Sequence, residues 1–178
     1  WNYMCAECHS TDLQMGFDAA SNTFNTTYSE ISVGCEACHG PGSKHIERVN
    51  ADADSGAQGF DVDLDDHGRA TWVMNPDTGI AERSELRTQP QQQPEACGRC
   101  HSRRGIIAPE YEYGQPLAHT HMPALLDENL YFADGQILDE VYVYGSFLQS
   151  KMYQAGVTCS DCHNPHSNKL KLEGNKLC

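Results

Sequence analysis

The chain has 178 residues, 12 basic against 25 acidic side chains, a formal net charge of −13 and a hydrophobic share of 39%, with a mean hydropathy of −0.59. That length bounds the organisation to one domain or two small ones. The acidity argues against nucleic acid and anionic membrane surfaces and fits a partner with a basic docking patch, and no apolar run reaches the roughly 18 residues of a membrane span.

In chain order, the first pattern is Cys5-Ala6-Glu7-Cys8-His9. Residues 13–17 and 23–28 alternate around a polar turn and predict a short hairpin. Cys35-Glu36-Ala37-Cys38-His39 repeats the opening pattern, and after Gly40-Pro41-Gly42 a helix capped by Ser43 is predicted through Val49. Residues 60–64 and 71–74 predict a second hairpin, with its turn at 65–68. Asp61, Asp63 and Asp65 imitate the start of a calcium loop, but Asp66 stands where Gly is required and Trp72 where Glu is required. A solvated acidic hairpin is the better account.

A polar connector, residues 89–94, leads into a predicted helix at 95–101 that carries Cys97-Gly98-Arg99-Cys100-His101. Residues 137–154 predict the longest helix, with Leu138, Val141, Tyr142, Leu148 and Met152 on its apolar face and Gly156 ending it. The fourth pattern, Cys159-Ser160-Asp161-Cys162-His163, follows. The sum is a mostly α and irregular architecture with small β-hairpins and little conventional core, organised as one module over residues 1–178.

C-x-x-C-H, present four times, is the attachment signal for a c-type haem. Two thiols one helical turn apart add across the porphyrin vinyl groups, and the next residue aims its imidazole at the iron. Zinc ribbons and thioredoxin-like centres also use C-x-x-C. With His at 9 of 178 residues, its recurrence after all four pairs has a chance on the order of 10⁻⁵. Four covalent haems are therefore expected, with thioether bonds from Cys5, Cys8, Cys35, Cys38, Cys97, Cys100, Cys159 and Cys162. His9, His39, His101 and His163 are the expected proximal ligands. Four porphyrins also supply the apolar mass that the side chains lack. Haem is joined to this motif outside the cytoplasmic membrane of bacteria, so a periplasmic or extracellular location is expected. The odd ninth cysteine, Cys178, is expected to begin a fifth motif of a longer chain.

Five histidines remain: His45, His67, His119, His121 and His166. Their number suffices for a second histidine on each iron, which favours electron transfer over chemistry at an open iron. His166 is too close to His163 to reach the far face of the same haem, so a neighbouring haem is its expected target. His45 follows a turn that redirects the chain across a haem. Of His119 and His121 one is expected to ligate, and His67 reads equally as a ligand or a solvated turn residue. The five methionines fit core packing better than ligation. Arg99, Arg103 and Arg104, clustered round the third motif, suit pairing with haem propionates.

The segments Met4 to Thr11, Gly34 to His45 and Cys159 to His166, with His121-Met122-Pro123-Ala124-Leu125-Leu126 and Ala133 to Glu140, resemble multihaem cytochromes of the c552/c554 type. The chain more closely resembles the haem module of large bacterial cytochromes with tetratricopeptide repeats. The resemblance implies further haem motifs in the parent protein and names His45, His121 and His166 as distal ligands.

Three functions follow as expectations. The first is an electron-transfer module working with redox partner proteins or further haem domains of the same parent chain. The second is an oxidoreductase acting on a small nitrogen or sulfur compound at one open haem. The third is a self-assembling subunit of a conductive filament.

Overall fold

The computed structural model describes residues 1–51, 59–65, 70–87, 90–108 and 110–177. His67 and Cys178 lie outside the described residues. A 3-10 turn at Glu7–His9 carries the first motif, and two ribbon strands follow, β1 (Phe17–Asp18) and β2 (Thr23–Phe24). They form the expected first hairpin, lengthened by antiparallel bridges Thr11↔Glu30 and Gln14↔Thr27. The second motif forms helix α1 (Cys35–His39), and α2 (Ser43–Asn50) follows. Ser43 opens this helix rather than capping it, the cap position being Gly42.

The second hairpin differs from expectation. β3 (Trp72–Met74) pairs with β4 (Ala81–Arg83), in the register Trp72↔Arg83. The local turn wins over the longer connection, since Asn75 Oδ1 accepts from the backbone of Asp77 at 2.9 Å and of Thr78 at 3.3 Å. Such an Asx turn closes its hairpin with little loop-closure entropy.

The third motif ends helix α3 (Gln92–His101), from which β5 (Arg104–Ile106) runs out to pair with β6 (His121–Pro123). The long helix expected over 137–154 is broken into α4 (Tyr144–Leu148) and α5 (Lys151–Gln154). Tyr142 sits at φ 59°, a conformation that no helix interior tolerates. Before it, Leu138 and Asp139 give their N–H groups to Leu130 instead of to a helix. Ser150 then accepts from Tyr153 N at 3.1 Å and starts a fresh turn. Gly156, at φ 90°, ends the segment as expected. The fourth motif is the single turn α6 (Cys159–Cys162), after which β7 (His163–Asn164) pairs with β8 (Lys169–Leu170).

Among the described residues the buried apolar side chains are Ala6, Val62, Pro94, Leu117, Tyr131 and Val141. The chain exposes 12534 Å² at 19.7 kDa, where a folded protein of that mass exposes about 8,600 Å². Among the described residues, four two-stranded ribbons and short helices thus surround little conventional core. Helix α3 is the mechanical centre: Gly98 lets Leu117 and the Tyr144 ring approach so closely that a Cβ there would meet both at 2.8 Å. Glu95 accepts from Leu117 N at 2.6 Å. Among the described residues no helix is long and apolar enough to cross a membrane.

Candidate functional site

Each motif is built by one helical turn, because two cysteines three positions apart fall on the same helix face. Asp161 fixes the fourth turn by accepting from Thr158 N at 2.7 Å and from its hydroxyl at 3.2 Å, while Trp72 Nε1 donates to its other oxygen at 2.9 Å. Ser10 and Ser102, directly after the first and third motifs, close those turns by donating to Ala6 O at 2.5 Å and Gly98 O at 2.6 Å.

The four turns converge on α3. The thiol of Cys8 lies within hydrogen-bonding reach of Cys100, and that of Cys97 within reach of Cys159. Arg99 Nη1 donates to Ala37 O, inside the second motif, at 2.9 Å. Gln93 Nε2 donates to Ser160 Oγ at 2.7 Å, and Ser160 N returns a bond to Gln93 Oε1 at 2.8 Å. The third motif therefore touches the other three. The hydrogen bond from Cys100, with the Arg104 charge, outweighs burial and lowers Cys8 to about 6; the Cys8 bond and burial push Cys100 up.

The three arginines engage protein carboxylates. Arg104 Nη2 meets Glu7 Oε2 at 2.6 Å, Arg99 Nη2 lies 3.9 Å from Glu7 Oε1, and Arg103 pairs with Asp139 at 3.2 Å. Burial raises the Glu7 carboxyl, but the His121 hydrogen bond and the charges of Arg104, His121 and Arg99 hold it below the usual carboxylate range. Glu7, inside the first C-x-x-C, was not singled out in the sequence. Its only signal there was an acidic side chain at a position that the 3-10 turn partly buries.

The expected ligands divide into distinct situations. His9, His101 and His163 are exposed, and His39 is half-buried. His166 comes to His39, with ring centroids 6.1 Å apart and planes 18° apart. His45 instead stacks on Phe60 at 4.4 Å, and Phe60 also packs on His39 at 4.8 Å. His119 is exposed, in the 3-10 turn Leu117–His119. His121 is buried, with Thr120 Oγ1 at 2.8 Å from Nδ1 and Glu7 Oε1 at 2.8 Å from Nε2.

These residues fit a covalently held haem. A cavity of about 480 Å³ opens at His9 and is walled by Trp1, Ile31, Ser32 and Val33, an apolar seat facing an imidazole. None of the eight motif cysteines is held in a disulfide. Among the described residues no three or more His, Cys, Asp or Glu side chains converge as a metal cage.

Residues 1–40 match the family model described as cytochrome c554 and c-prime. Comparison with curated proteins gives no match. Among solved structures the chain is similar to the outer cell wall cytochrome OcwA, with a TM-score of 0.54 and 20% identity, over 98% of this chain. It spans 35% of that protein's length. The fold, haem-organised and poor in conventional core, is that of a multihaem c-type cytochrome.

Proposed function

We propose that the chain is an exported tetrahaem module that passes electrons among covalently bound, mostly bis-histidine haems. Its partners are redox proteins or further haem domains of a longer parent chain. A c-type haem supplies reversible one-electron chemistry at iron, and the chain contributes attachment, axial bonds and placement. Cys5 and Cys8, Cys35 and Cys38, Cys97 and Cys100, and Cys159 and Cys162 are the attachment pairs, with His9, His39, His101 and His163 as proximal ligands.

The observation that carries the bis-histidine assignment is the His39–His166 pair. Imidazoles on opposite faces of one metal, each nitrogen about 2 Å from it, hold their ring centres roughly 6 Å apart. The 6.1 Å separation supports His166 as the distal ligand of the second haem. The chain after the fourth motif would then complete the site of the second. His45, stacked on Phe60, and the exposed His119 are the next candidates. The ferric absorption and electron paramagnetic resonance spectra test this. His166→Ala is expected to convert one haem of the four to high spin, and an unchanged low-spin spectrum would remove the assignment. An open iron that binds nitrite in the unsubstituted protein would favour the oxidoreductase alternative.

A further inference from the structure

The cluster around Glu7 ties together two haem motifs and the histidine that family resemblance makes a distal ligand. Glu7 belongs to the first motif, Arg99 to the third, Arg104 to β5, and His121 to β6, opposite Ile106. His121 is 2% exposed, and the side chains of Glu7, Arg99 and Arg104 are 11–12% exposed. An ionised carboxylate can only accept, so the His121 Nε2–H donates to Glu7, while Nδ1 is taken by the Thr120 hydroxyl oxygen 2.8 Å away. No ring lone pair remains for iron. Arg104 Nη2 also reaches Cys8 Sγ at 3.5 Å, at the edge where the first motif meets Cys100 of the third.

We propose that His121 is not an axial ligand but a positioning residue: with Glu7, Arg99 and Arg104 it forms a buried clamp that fixes the first and third haem motifs against each other and places one carboxylate beside them. The clamp rests on the haem assignment above. That assignment fails separately, as a missing haem c spectrum in the unsubstituted protein.

The test uses the haem-loaded protein. His121→Asn keeps a hydrogen-bonding group toward Glu7 but offers no imidazole, so every iron that is low-spin in the parent is expected to remain so. His121→Ala is expected to keep the low-spin spectrum with a lower Tm, and the Asn variant to recover part of that loss. Glu7→Gln removes a negative charge that favours ferric iron, so the midpoint potential of a neighbouring haem is expected to rise. A new high-spin signal in His121→Asn would overturn the proposal and restore His121 as a ligand. Unchanged potentials in Glu7→Gln would overturn the placement of the carboxylate beside the haems.

Discussion

Arg99 holds its guanidinium 4.0 Å from the Tyr111 ring centre and 5.5 Å from that of Tyr113, while its nitrogens reach Ala37 and Glu7. The same packing isolates the phenols. Burial pushes Tyr111 up to about 12, against the opposing charge of Arg99, and burial with the Glu95 carboxylate raises Tyr144 as well. Below pH 10 both folded and unfolded chains keep these protons. Between pH 10 and 12 the unfolded chain loses them first, so stability falls as pH rises through that window. Denaturant midpoints of the haem-loaded protein are expected to drop across it, and Tyr111→Phe to flatten the decline. At this scale the sequence was legible where chemistry is fixed by spacing. C-x-x-C-H declares its own geometry, whereas Glu7 and His121 meet across a separation of 114 positions that no local pattern encodes.

Helix α3 combines an attachment motif with close packing against Leu117 and Tyr144. Because a Cβ at Gly98 would meet Leu117 Cδ2 and the Tyr144 ring, Gly98→Ala is expected to destabilise the protein by about 1–3 kcal/mol, as overpacking does. A lowered thermal midpoint with unchanged haem content is the outcome to look for. Elements set by neighbours in sequence were legible: the 17–24 hairpin, the 43–50 helix and the motif turns. The 137–154 segment was not. Its apolar spacing suits a helix, yet Tyr142, Leu138 and Asp139 are claimed by other partners. The 72–83 hairpin was missed because Asn75 and Gly79 close a short turn directly after β3, while the turn expected at 65–68 falls mostly outside the described residues.

For the whole molecule, the geometry supports a branched arrangement in which the third motif adjoins the first, second and fourth. On the proposed haem assignment, replacing Cys97 and Cys100 by Ala should therefore do more than remove one haem. Rapid reduction of the remaining haems by a small donor is expected to split into separate kinetic phases, where the unsubstituted protein equilibrates as one. Retention of a single fast phase would count against the junction. The small set of buried apolar side chains and the large exposed area accord with the low hydropathy of the sequence. The grouping of the motifs was not visible there, because the intervals between them say nothing about direction in space.

The meeting of thiols from different motifs has a consequence for biogenesis. Cys8 beside Cys100 and Cys97 beside Cys159 are pairs that an oxidising compartment would readily cross-link. A chain that reached this arrangement before maturation would be trapped with disulfides in place of cofactors. On the proposed haem assignment, attachment at the third motif would occupy one sulfur of each pair and remove both traps, so the order of maturation would bear on yield as well as on final structure.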